Sequence, residues 1–462
     1  MLGTARRKKE TAVSLPATVP FAEAFKVWVK VAAYSFGGPA GQIAVMHRLL
    51  VEEKRWVSEN RFLHALNYAM LLPGPEAQQL ATYLGWLLHG TGGGLVAGTL
   101  FILPGFVSIL VLSMLYAGFN DVGFVQAVFY GLKPAVMAIV ATAVVRIGQR
   151  ALGNRLKVGI MLFAFVAMFF FNVPFPLIII VTGLSGYLAG KRWPAAFDAR
   201  VPLAAEADGD TAVADQAAQI RKPDGRYARR VLVICLALWF GPLLLLGIFL
   251  GWDHTFVEIG RFFSQAAVVT FGGAYAVLAY IAQQAVNVHH WLAPGEMLDG
   301  LGMAETTPGP LVQVVQFVGF MGAYRHPGTL PPMLAGVLGA ILTTWVTFVP
   351  CFLWIFLGAP YIETLRGRHA LTRALSAITA AVVGVILNLA VWFSLQTLFG
   401  AVNTVHLGPL QLLVPVWSTL DPAALLIAVG AFVALFGLRW GIFRTLALSA
   451  LVGTAVFLLR PV

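Results

Sequence analysis

Ser35-Phe36-Gly37-Gly38-Pro39 recurs, little changed, as Thr270-Phe271-Gly272-Gly273-Ala274, and this spacing (271 − 36 = 235) decides the fold. At the same offset Pro73-Gly74-Pro75 returns as Pro308-Gly309-Pro310, and Trp56 as Trp291. Phe21 matches Phe256, Glu23 matches Glu258, Lys26 matches Arg261, Leu66 matches Leu301 and Gln78 matches Gln313. No gap is needed from Phe21 to about Leu80. The chain is therefore an internal duplication, which sets the architecture before any single element is assigned.

Composition identifies the medium. Of 462 residues 59% are hydrophobic and 11% charged, with a mean hydropathy of +0.82. A soluble chain carries roughly 25% charged residues, so this one cannot cover a surface that faces water. Apolar runs at 95–116, 122–145, 231–250, 333–357 and 374–395 reach or exceed the roughly 20 residues that cross a bilayer. The net charge of +11 does not point to nucleic acid. Its Lys and Arg sit at the ends of apolar runs and in a few loops, as topology signals do. Cys235 and Cys351 lie inside apolar runs without a CxxC partner, so no disulfide framework or metal site is expected. Arg6, Arg7, Lys8 and Lys9 are followed by no apolar core before Pro20, which reads as a basic cytoplasmic tail and not a cleavable signal.

The organisation follows: a tail at 1–20, a first repeat at 21–190, a polar cytoplasmic linker at 191–230, and a second repeat at 231–462 led by an extra span at 231–250. Loop charge gives orientation. The loop near Asn120-Asp121 lacks Lys and Arg, whereas the next holds Arg146, Arg150, Arg155 and Lys157. In the second repeat the order is reversed: Arg366, Arg368 and Arg373 come first, and 400–421 holds none. The expected fold is an all-α polytopic membrane protein of two inverted-topology repeats, an arrangement common among secondary transporters.

Each repeat opens with two interrupted helical segments whose pieces, about 10–15 residues or roughly 15–22 Å long, reach the midplane without crossing it. They are either re-entrant hairpins or broken spans. Glycine frees the backbone at each break, and proline is favoured at the first position of a helix. Pro39, Pro75 and Pro310 should each start a half-helix whose free N–H groups and positive dipole end face the break. Several such ends meeting near the midplane make an anion site without a buried Lys or Arg. The residues expected to line it are Gly37, Gly38, Pro39, Gly74, Pro75 and Gln78, with Gly272, Gly273, Gly309, Pro310 and Gln313. The competing explanation is a set of packing kinks, which four breaks at symmetric positions disfavour.

Phe36-Gly37-Gly38-Pro39, followed by Leu72-Pro73-Gly74-Pro75-Glu76-Ala77-Gln78-Gln79-Leu80-Ala81-Thr82-Tyr83-Leu84-Gly85-Trp86, resembles the first-half signature of the chromate ion transporter (CHR) family in its long, two-domain form. Ala304-Glu305-Thr306-Thr307-Pro308-Gly309-Pro310 with Gln316-Phe317-Val318-Gly319-Phe320 is similar to the second-half signature. The resemblance spans essentially the whole chain. It implies export of chromate from the cytoplasm, energised by membrane potential or a proton gradient, and chromate resistance. Ala274 replaces the proline expected after the second Gly-Gly, so that break contributes less.

Ionisable groups at membrane depth are functional candidates. Glu76 follows the first Pro-Gly-Pro and Glu305 precedes the second, and the two are not repeat mates. Each is either a proton-coupling group or a carboxylate placed favourably at a helix start. Lys30 and Lys133 are candidate partners for Glu76, or attractants for the anion. Gln78 and Gln313 either donate to an oxyanion or bond between helices. Glu23 with Lys26 and Glu258 with Arg261 are expected as i, i+3 surface pairs.

No GxxxxGK[ST], HExxH or GxSxG motif occurs, so neither ATP hydrolysis nor a cofactor is called for. The expected partners are a small oxyanion, membrane lipid and, as an option, a second copy in a homodimer. A sulfate or other oxyanion transporter in the cell membrane is the alternative, and an intramembrane enzyme the remote one.

Overall fold

Helix Phe21–Tyr34 buries Ala24, Val27, Trp28 and Val31, one stripe at helical spacing. Their mates 235 residues on, Ile259, Phe262, Phe263 and Ala266, are all buried in helix Thr255–Val269. Helices Phe21–Tyr34 and Thr255–Val269 end on mates, and so do Glu59–Leu71 and Glu296–Thr306. The repeat read from glycines and prolines is thus a repeat of elements and of buried faces. The computed structural model describes residues 19–36, 38–119, 122–197, 225–271, 274–361 and 369–459. Gly37, Gly272, Gly273, Arg366, Arg368, Asn120, Asp121 and the basic start lie outside them.

The order in the first repeat is Phe21–Tyr34, Gly38–His47, Glu59–Leu71, Glu76–Phe119, Gly123–Ala151, Arg155–Phe171 and Phe175–Arg192. The second runs Thr255–Val269, Ala274–Asn287, Glu296–Thr306, Val314–Arg325, Pro332–Gly358, His369–Leu398, Pro422–Phe436 and Ile442–Leu459. The extra element follows from Glu76–Phe119 being two helices joined at His89 and Gly90, which leave helical geometry. The chain doubles back there: a Cβ on Gly94 would lie 2.9 Å from the Thr82 carbonyl oxygen. Among the described residues six helices are long and apolar enough to cross a membrane, and the five apolar runs in the sequence fall within them save for Val122, which caps helix Gly123–Ala151.

Two expectations change. The linker read as 191–230 gives up both ends to helices, since Lys191 and Arg192 close helix Phe175–Arg192 and Gly225–Arg230 open helix Gly225–Leu250. Polar residues extend an apolar helix into water at no cost in backbone hydrogen bonds. Residues 198–224 of that linker are outside the described ones. The uncharged segment after Leu398 holds a β-hairpin, Val402–Leu407 with Leu410–Pro415, turning at Gly408 with φ of +62°.

Small residues bring the helices together. A Cβ on Gly131 or on Gly453 would collide with the backbone of the other, so helices Gly123–Ala151 and Ile442–Leu459 touch main chain to main chain.

Candidate functional site

Both Pro-Gly-Pro breaks need glycine at their centre, since Gly74 has φ of +130° and Gly309 of +105°. Each glycine then donates its N–H to the other repeat. Gly74 N bonds the Thr270 carbonyl at 2.7 Å, and Gly309 N bonds the Ser35 carbonyl at 2.9 Å. Thr270 is the mate of Ser35, as Gly309 is of Gly74, so the two bonds are equivalent under the repeat. The second break of each half is clasped to the first break of the other. Two amides expected to face an anion are thereby engaged with carbonyls; the glycines let main chain meet main chain.

A small cavity of about 10 Å³ lies where the breaks meet, lined by Pro39, Gln42, Pro75, Glu76, Ala77, Ala274, Pro310, Leu311 and Val312. Pro39 with Ala274, and Pro75 with Pro310, are mates, and each stands at the start of a helix. Four helix beginnings therefore surround one point, each contributing the positive end of its dipole. No Lys or Arg is among the lining residues.

The remaining candidates divide. Glu76 lines the cavity and has no hydrogen bond or ion pair among the described residues. Lys30 is exposed and unpaired with it. Lys133 pairs instead with Asp299 at 3.3 Å. Glu305 is buried and accepts a hydrogen bond from the Tyr275 hydroxyl. Gln78 and Gln313 are buried but do not line the cavity. Gln78 donates to Thr82 Oγ1 at 3.0 Å, and Gln313 to Gln316 and to Thr344 Oγ1 at 3.1 Å. Gln78 thus bonds within its own helix, and Gln313 reaches a second helix at Thr344. Gly38, with φ of +72°, opens helix Gly38–His47.

Three features escaped the sequence. Gln42 lines the cavity, 1% exposed, and donates to the Gly309 carbonyl at 2.5 Å. Asp299 and Glu296, both buried, join a network with Lys133, Tyr116 and Arg325. The Tyr116 hydroxyl donates to Asp299 at 2.9 Å, and Arg325 grips both oxygens of Glu296 at 2.7 Å. Finally, Glu23 pairs with Lys54 at 2.7 Å and its mate Glu258 with His289 at 2.6 Å, correcting the i, i+3 pairs. Lys54 and His289 are themselves mates. Nothing local in the sequence marks these contacts, because each joins residues 29 or more positions apart.

The sequence profile of a family described as "Chromate transporter" matches residues 22–187 and 257–454. A chromate transport protein of Cupriavidus metallidurans is 29% identical over 367 residues, covering 78% of this chain and 79% of that one. One of Pseudomonas aeruginosa is 29% identical over 383 residues, covering 81% and 82%. The "uncharacterized transporter YwrB" of Bacillus subtilis is 30% identical over 169 residues, 35% of this chain but 84% of that one, about the length of one repeat. No solved structure matches the chain significantly.

Proposed function

Because this chain belongs to the chromate transporter family and is a multi-pass membrane protein, we propose that it is a secondary transporter exporting chromate from the cytoplasm across the cell membrane. The observation that carries the proposal is the cavity ringed by four helix starts, two from each repeat. Helix beginnings attract anions and supply N–H donors, so a dianion can be held there without a fixed cation. With no Lys or Arg at the wall, release competes only with dipoles and hydrogen bonds.

The architecture in this reading is two inverted repeats, each opening with a pair of re-entrant half-helix hairpins. Several contacts support it. The Tyr68 and Tyr83 rings are 5.5 Å apart across the break at 72–75, which a straight broken helix would hold far apart. Lys54 returns to Glu23, and His89 to the Val19 carbonyl at 2.8 Å, so both hairpins of the first repeat start and finish together. The second repeat closes likewise through Glu258 with His289 and Glu296 with Arg325. Its closing residues meet Tyr116, near the far end of the helix that begins after Gly90. Mouths at opposite ends of one long helix are what inversion calls for, and these contacts support that reading.

A cavity of about 10 Å³ has room for about one water, not four oxygens around a metal. The state described is closed, and loading the site requires the clasped breaks to part. Outward movement of a dianion from an inside-negative cell is favoured by about 4.6 kcal/mol per 100 mV, at about 2.3 per charge. Potential alone can therefore sustain export. A second reading, a carrier of sulfate or another tetrahedral oxyanion, is favoured by the same wall: helix ends recognise charge and oxygen geometry, not chromium. Equilibrium binding of labelled chromate to the protein in nanodiscs, with sulfate as competitor, separates the two. Saturable binding that sulfate displaces only in large excess supports chromate; displacement by equimolar sulfate supports the broader carrier.

A further inference from the structure

We propose that the Gln42 side-chain amide donates directly to the bound anion, and that it does so by leaving the Gly309 carbonyl; the inference rests on the transport reading above. Gln42 lies one turn into helix Gly38–His47, buried at the cavity wall. Its Nε2 donates to the Gly309 carbonyl at 2.5 Å, while its Oε1 has no partner. The N–H of Gly309 is held by Ser35. Both backbone polar groups of Gly309 are thus bound by residues flanking the first break.

The other half lacks this second bond. The mate of Gln42 is Val277, which has no polar side chain, so among the described residues Gly74 is held from the second repeat through its N–H alone. The clasp is two-point on one side and one-point on the other. Of the lining residues, only Gln42 has a side chain that donates whatever its protonation state, since the rest are apolar except Glu76, a donor only when protonated.

An arriving oxyanion therefore finds fixed helix-end amides and one movable amide. Swinging Nε2 from the Gly309 carbonyl to an anion oxygen exchanges a neutral hydrogen bond for a charge-assisted one, roughly twice as strong. The same swing frees the Gly309 carbonyl. A ligand shifts a conformational equilibrium only through its differential affinity for the two states. Gln42 supplies that difference: loading the site removes one of the bonds that hold the repeats together.

The test compares the parent with Gln42→Met, similar in length but without a donor, in proteoliposomes and in nanodiscs. Chromate KM should rise roughly ten- to a hundredfold, the loss of one hydrogen bond to a charged group. The rise in Tm that chromate gives the parent should shrink in the variant. Gln42→Asn, which keeps an amide one carbon shorter, should recover part of the lost affinity, and it serves alone if Gln42→Met does not accumulate. A Gln42→Met protein with the parent's KM and the parent's chromate-induced Tm shift, whatever its unliganded Tm, would overturn the inference and leave Gln42 as a structural bond. Should the parent show neither chromate binding nor transport, the transport reading falls, and this inference with it.

Discussion

The backbone N–H of Gly309 is bonded to the carbonyl of Ser35, 2.9 Å away in the other repeat. Its equivalent, Gly74 to Thr270 at 2.7 Å, makes the relation reciprocal. Neither break could form this bond with a side chain at its centre. A Cβ on Gly74 would sit 2.6 Å from Gln79 Nε2 and 2.8 Å from Cys351 Sγ, and one on Gly309 would sit 3.0 Å from the Gly105 Cα. The same glycines thus permit the turn, the inter-repeat bond and the close approach of each break to a long helix.

Gly74→Val should abolish chromate transport while the protein still reaches the membrane, and so should Gly309→Val. A β-branched residue at φ of +130° or +105° is strained by about 1–3 kcal/mol before any collision is counted. Immunoblots of membrane fractions beside transport rates check this. Normal transport by the double variant would remove the breaks from the site.

Arg325→Ala should lower the thermal stability of the purified protein by about 3–5 kcal/mol, because it leaves Glu296 buried without its cation. The paired change Arg325→Met with Glu296→Leu should recover much of that loss, since the desolvation of both charges goes with them. Thermal melting in detergent measures both. A Tm for Arg325→Ala equal to the parent's would show that the pair contributes little.

Glu76→Gln should keep anion exchange yet lose its response to an imposed pH gradient. Glu76 faces the cavity, while Lys30 is exposed and Lys133 is committed to Asp299, so no described cation holds Glu76 ionised. Chromate flux in proteoliposomes at several pH gradients reads the effect. If the variant responds as the parent does, Glu76 is not the coupling group and Glu305 becomes the next to test.

Single cysteines placed at positions 153 and 371 should label from the cytoplasmic side, and one at position 408 from the outside. The reversal of loop charge between the halves motivates this. Labelling of 153 and 371 from opposite faces would contradict inversion.

The residues that made the repeat legible are those whose chemistry is local. Gly74 and Gly309 mark a backbone that leaves the helix, Pro75 and Pro310 mark where it resumes, and Trp56 and Trp291 keep the register. The buried stripe of Phe21–Tyr34 could likewise be read from its spacing. Gln42 could not: one glutamine on a short helix has no signal until the chain brings Gly309 to it from 267 positions away. Asp299, Tyr116 and Lys133 come from three separate helices, and their association is a property of packing alone. The hairpin at 402–415 carries a local signature, paired strands rich in Val and Leu around a Gly-Pro turn, whereas the lack of Lys and Arg at 400–421 bears on orientation and not on strand pairing.

Chromate uptake into everted membrane vesicles tests the central claim most directly. With the cytoplasmic face outward, a lumen-positive potential should drive saturable accumulation of labelled chromate. Uptake should grow with the potential and be absent from vesicles carrying Gly74→Val. Chromate that fails to accumulate in vesicles bearing the parent protein, with the potential verified by a dye, would contradict the account.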